Sequence, residues 1–382
     1  MREIEVPVAP GAIGPSLAAA ADGRALLSWV EPRAGGRHAL RLARRVAGSG
    51  WAGPVTVAEG TGWFVNWADF PHAAALDDGT LFAHWMEKRP RGEPYDYDVR
   101  LTRSRDGGRT WDGPLSLHAD PTPAEHGFVS FAPIDEARLG VLFLDGREVK
   151  AGGATSLRFA VVGRTGPPEP DERVDARVCD CCQTALARTA RGMVAAYRDR
   201  SPTEVRDVAV VRREGGRWSA PVFPGSEGWE IHGCPVNGPS LAADGDRVGL
   251  AWFTMAGETP RVKVAFSSDG GASWGRPAVV DEGRPIGRVD VALLARPAGR
   301  GAGTDTAALV SWLEDADEGA DVRVRRVDSS GSAGPSVLVA RSSAARATGF
   351  PRLVRTGAET LAVWRDASEP PRLRAAVLEV GE

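Results

Sequence analysis

The chain has 382 residues, 42% of them hydrophobic, with 47 Lys and Arg against 50 Asp and Glu and a formal net charge of −3. So even a balance gives no electrostatic footprint for nucleic acid, and no run of about 18 apolar residues offers a membrane-spanning helix. The opening MREIEVPVAPGAIGPS has acids and prolines where a secretory leader needs an apolar stretch, so the chain is cytoplasmic or has lost a leader. The 46 Gly and 28 Pro follow no period and point to many turns.

One pattern recurs along the chain. A strand ending in an aromatic and charged residues appears seven times: ALLSWVEP (25–32), TLFAHWMEK (80–88), RLGVLFLDGR (138–147), GMVAAYRDR (192–200), RVGLAWFTM (247–255), AALVSWLED (307–315) and TLAVWRDA (360–367). Each follows a short segment of small residues, such as GPSLAAA, FPHAAAL, CQTALAR or GPSLAAD. Each precedes an alternating strand, such as HALRLARRV or VKVAFSSD, and most repeats add a fourth strand, such as GPVTVAE or RPAVVDE. Four antiparallel strands repeated in tandem read as an all-β, seven-bladed β-propeller, with six blades as the alternative. The repeats begin near residues 14, 71, 129, 182, 238, 288 and 350 within one domain spanning 1–382. The seventh repeat lacks a fourth strand, and residues 2–8 are expected to supply it, closing the ring and removing an exposed edge. Trp29, Trp85, Phe143, Tyr197, Trp252, Trp312 and Trp364 then occupy one equivalent core position.

Taken in chain order, WFVNWADFPH (63–72) places Trp63, Trp67 and Asp69 in a loop, where the indoles could stack on a sugar or cover the channel. SRDGGRTW (104–111) and SSDGGASW (267–274) both fit S-x-D-G-G-x-x-W. Their glycines allow tight hairpins, Asp106 and Asp269 can accept backbone N–H bonds, and Trp111 and Trp274 pack under the turn. Ser104, Asp106, Gly107 and Trp111, with Ser267, Asp269, Gly270 and Trp274, are read as structural. His38, His84 and His118 fall at strand positions and are read as structural too.

On these turns and the propeller pattern, the chain resembles the sialidase superfamily of Asp-box (BNR) propellers over essentially its whole length. The resemblance implies the fold and raises exo-sialidase-type hydrolysis of anionic sugars as one possible activity. The chain departs from the family's catalytic pattern. The first inner strand, GAIGPSLAAA, lacks the expected arginine, and seven repeats stand where sialidases typically have six blades. A tyrosine nucleophile would have to come from the GEPYDYDV loop, where Tyr95 and Tyr97 are the candidates, with Arg198, Arg288, Arg352 and Asp199 as further candidates.

Three of the four cysteines stand in RVCDCCQTALA (177–187) and the fourth in WEIHGCPVNGP. The repeat places both stretches in loops leading into inner strands of adjacent blades, on the face where the central channel opens. Cys179, Cys181, Cys182 and Cys234, with His232 and more remotely His72 and His126, are therefore a candidate metal set suited to copper or zinc. A disulfide between the two stretches, or a vicinal Cys181–Cys182 bridge, is the competing reading. Three functions remain open. They are a metal-binding or redox protein, a glycoside hydrolase, and a non-catalytic scaffold held by disulfides. The expected partner is a small molecule, glycan or metal ion on the channel face, with no nucleic acid. The sequence leaves the oligomeric state open, and this chemistry favours a periplasmic or secreted location.

Overall fold

The computed structural model describes residues 1–294, 306–357 and 359–379. Among them the strands form seven antiparallel sheets around a central channel, a seven-bladed β-propeller. The inner strands are Ile13–Ala19, Ala73–Ala75, His126–Pro133, Ala185–Thr189, Ser240–Asp244, Pro285–Leu293 and Arg352–Thr356. The aromatic-bearing strands follow as second strands, from Arg24–Arg33 in blade 1 to Glu359–Arg365 in blade 7. The N-terminal strand Arg2–Ile4 pairs with Leu373–Leu378 as the outer strand of blade 7 and closes the ring, as expected.

The seven repeating aromatics explain how the blades hold together. Each lies in the apolar seam between its own blade and the preceding one. Trp252 packs with Val194 and Val210, Trp29 with Val363 and Leu373, and Phe143 with Phe82 and Val99. All seven are buried. A β-sheet has two faces, and in a propeller both are covered by neighbours, so second strands read as nearly continuous apolar runs rather than alternating ones.

Two local differences from the sequence reading follow from packing. Trp63 is not an exposed loop residue: Trp63–Phe64 adds a short strand against Met86 and Glu87, and the indole stacks on Trp85 at 5.5 Å. Tyr97 is likewise not in a loop but begins the third strand of blade 2, Tyr97–Ser104, and is 0% exposed. In both turns of the S-x-D-G-G-x-x-W pattern the Asp carboxylate gathers the chain. Asp106 accepts from the Arg109 and Thr110 amides at 3.0 Å, and Asp269 from those of Ala272 and Ser273 at 2.9 Å.

Candidate functional site at the channel mouth

The cysteines meet where blades 4 and 5 adjoin. An isolated bridge between Val178 and Asp199 anchors the start of the loop, and the Cys179 amide donates to the Arg198 carbonyl at 2.9 Å. A turn at Asp180–Cys181 folds the chain back before the inner strand of blade 4. It brings the Cys179 sulfur to 3.4 Å from Cys182 and 3.8 Å from Cys181. Cys234 arrives from the next blade: its sulfur, that of Cys181 and an Asp180 oxygen lie within 4.8 Å of one another. Gln183 fixes this approach by donating to the Ala68 carbonyl at 2.7 Å and accepting from the Gly238 amide at 3.0 Å. Gly238 sits so close to the Gln183 backbone that any Cβ would overlap it. All four cysteines are free thiols, and no pair is at the disulfide separation of about 2.05 Å.

Two arginines charge this cluster. Arg206 donates to the Cys179 sulfur at 3.3 Å and is itself held by Glu204 at 2.7 Å. Arg198 is fully buried. It donates to the carbonyls of Asn237, Arg206 and Phe253, and its guanidinium lies 4.8 Å from the Trp229 ring centre. Among the described residues it has no carboxylate partner, so its positive charge is left to act on the sulfurs. Hydrogen bonds with Cys181 and Cys182, aided by Arg198, hold Cys179 well below the usual thiol range. Burial first, and then the bond to Cys179, pushes Cys182 up. The arrangement therefore favours one buried thiolate flanked by two thiols.

A second network adjoins the first. The Tyr97 hydroxyl lies 2.8 Å from Asp69 Oδ2 and 2.9 Å from Glu125 Oε1. A phenol has one proton to give, so with both bonds made one of the carboxyls must carry a proton and donate back. Burial is the main cause on each side: it lifts Asp69 to about 7 and Glu125 to about 8, with Asp180 and Cys234 among the charges raising Glu125. Asp69 also accepts from the Phe128 amide at 2.9 Å, which stands at φ 50°. Gly127 is required beside it, because a Cβ there would overlap Asp69 Oδ2.

The other candidates disperse. His232 is exposed and faces Glu230 at 3.4 Å rather than the sulfurs. His72 lines the channel, bonded to Ser16 at 2.9 Å. His126 stacks on His118 at 4.0 Å, away from the cysteines. Trp67 is half-buried between Phe350 and the Arg288 guanidinium, 4.8 Å from its ring centre. Arg288 donates to the carbonyls of Ala345 and Gly349, Arg352 faces Asp290 at 3.2 Å, and burial lifts Asp199 to about 6. Arg198, Arg288 and Arg352 are each committed to partners within the fold and form no free anion clamp. Glu125, Asp180 and Arg206 were not singled out from sequence. The one available signal was Asp180, which lies inside the cysteine run itself. Below the loops the channel encloses about 480 Å³, lined by His72, Ser130, Gln183, Asp290 and Arg352 among others.

No protein-family model and no curated relative matches the sequence. Solved structures do. An ulvan lyase of a polysaccharide lyase family aligns over 97% of this chain and 95% of its own, at 12% identity and TM-score 0.61. The α-L-arabinofuranosidase of Fusarium graminearum, in complex with arabinobiose, aligns over 99% and 98%, at 12% identity and TM-score 0.53. The intramolecular trans-sialidase of Ruminococcus gnavus aligns over 97% and 94%, at 11% identity and TM-score 0.50. What the chain shares with these structures is the β-propeller fold. At such identities the likeness concerns the fold, and the chemistry must be argued from this chain's own residues.

Proposed function

We propose that this propeller binds a thiophilic metal ion, Cu(I) or Zn(II), at its channel mouth through Cys179, Cys181 and Cys182, with Cys234 as the fourth sulfur. The spacing of the sulfurs carries the reading. Metal–sulfur bonds of about 2.3 Å set tetrahedral ligands about 3.8 Å apart, and the free sulfurs already stand at 3.4 and 3.8 Å. Thiols without a shared ion gain little from crowding together in a buried loop, whereas thiolate ligands select Cu(I) and Zn(II) over harder ions. Arg206 and Arg198 would offset the negative charge that several thiolates leave around such an ion, as outer partners do at other metal centres. The test is stoichiometric. Protein reduced under anaerobic conditions and titrated with Cu(I) against a chromogenic chelator should take up one ion per chain and lose thiol reactivity in step. Four thiols that stay reactive with no ion retained would overturn the proposal.

A second reading is favoured by the Tyr97 network. A phenol between a carboxyl and a carboxylate, on a fold shared with carbohydrate-active enzymes, fits a glycan-processing site. Turnover of a fluorogenic sialoside, lost in Tyr97→Phe, would support it; no turnover of sialosides, arabinosides or uronate polymers would count against it.

A further inference from the structure

We propose a second metal site, separate from the cysteines, at the seam of blades 2 and 3. It is formed by Asp98, His118, His126 and the main-chain oxygen of Tyr97, and is suited to Zn(II). None of its side chains belongs to the sulfur cluster, so it stands or falls independently of the function proposed above.

The geometry carries it. His118 Nε2 and His126 Nδ1 each lie 3.5 Å from Asp98 Oδ1, and His126 Nδ1 lies 3.1 Å from the Tyr97 carbonyl oxygen. A charged imidazole–carboxylate hydrogen bond would draw its atoms to about 2.7–2.9 Å; these pairs are too far apart for that. They are, however, at the separation of ligands sharing one ion, since bonds of about 2.0–2.1 Å place tetrahedral neighbours about 3.3–3.4 Å apart.

The second observation is polar dissatisfaction. His118 is 8% exposed and His126 is 0% exposed, yet both ring nitrogens of His118 and Nε2 of His126 have no hydrogen-bond partner. Buried polar atoms are rarely left so, and each one needs an explanation. An ion supplies it for His118 Nε2, while His126 Nδ1, which donates to the Tyr97 carbonyl at 3.1 Å, would exchange that bond for the ion. It also leaves His126 Nε2–H pointing at Asp145 Oδ2, 3.6 Å away, in the carboxylate–histidine–metal order common at zinc sites.

Charge agrees. Four carboxylates, those of Asp98, Asp120, Asp145 and Asp171, meet three guanidiniums, those of Arg89, Arg147 and Arg158. One negative charge is left over with both histidines neutral, and a cation at this place offsets it. Arg89 donates to Asp98 Oδ1 at 2.7 and 2.9 Å and so orients the ligand carboxylate. The site would tie the loop before blade 3 to the strand that carries Tyr97.

The experiment loads the full chain with zinc, removes free ion by desalting, and counts zinc per chain in wild type, His118→Gln and the double variant Cys179→Ser/Cys182→Ser. The proposal expects His118→Gln to lose one ion that the cysteine variant keeps. An unchanged count in folded His118→Gln overturns it. Should that variant not fold, anomalous scattering at the zinc edge from zinc-soaked wild-type crystals decides. A peak between His118 Nε2, His126 Nδ1 and Asp98 supports the site, and its absence there overturns it.

Discussion

Asp69→Asn offers a direct probe of the buried proton network. The asparagine keeps the shape: its oxygen can still accept from the Phe128 amide and its NH₂ can donate to the Tyr97 oxygen, which then donates to Glu125. What disappears is a titrating group. Burial raises the Asp69 carboxyl from 3.8 to about 7. A carboxyl raised in the fold binds its proton more tightly there than in the unfolded chain. Its contribution is fully present below about pH 4 and is lost as pH rises towards the folded value. Each unit of pH in that window costs about 1.4 kcal/mol per such group. Buried neutral histidines, His72 and His84 among them, slope the other way as pH falls, so the wild-type curve alone is ambiguous. The difference between variant and wild type cancels them. Measured by denaturant unfolding, Asp69→Asn should gain roughly 2 kcal/mol relative to wild type between pH 5 and pH 7, the slope flattening as pH reaches the folded value. A difference constant across that range would refute the reasoning that Asp69 is held protonated by burial.

Other expectations follow from single contacts. Gly238→Ala forces a methyl into the Gln183 backbone and should destabilise by more than about 3 kcal/mol, read as a lowered Tm and a lost seam between blades 4 and 5. Arg198→Ala leaves the carbonyls of Asn237, Arg206 and Phe253 without their donor and should cost roughly 3–5 kcal/mol. In the same variant the Cys179 thiol should titrate at higher pH, seen by thiolate absorbance; an unmoved titration would remove Arg198 from the site's electrostatics. Cys179→Ser should abolish Cu(I) uptake with little change in Tm, because the hydroxyl still fits the cavity and can accept from Arg206. Retention of one tightly held ion in this variant would exclude Cys179 as a ligand.

The propeller was legible because its repeating unit is fixed by packing between blades. Trp29, Trp252 and Trp312 must each fill the same seam, so the aromatic recurs at blade spacing and the count of seven follows. The neighbourhood of the two cysteine stretches was legible for the same reason, as one blade length separates them. What the repeat could not give was the turn at Asp180–Cys181 that sets the sulfurs together, or the direction of His232, which depends on loop backbone. Trp63 was misread because WF has too few residues to announce a strand, although it pairs with Glu87 and Met86. His118 was read as structural from an expected place in the fourth strand of its repeat. His118 is not at a strand position but stands just past Leu115–Ser116, and its stacking on His126 comes from that loop meeting the strand His126–Pro133 across a blade seam, a contact that no local spacing encodes. Tyr97 was a candidate for its residue type, while its partners Asp69 and Glu125 come from two other loops.

The central claim is that sulfur meets metal at the channel mouth. X-ray absorption on protein loaded with one equivalent of Cu(I), then separately Zn(II), reads the ligand shell directly. The expected result is a shell of three or four sulfurs at about 2.3 Å that disappears in Cys179→Ser/Cys182→Ser. A shell of nitrogen or oxygen, or one unchanged by removing those two sulfurs, would contradict it.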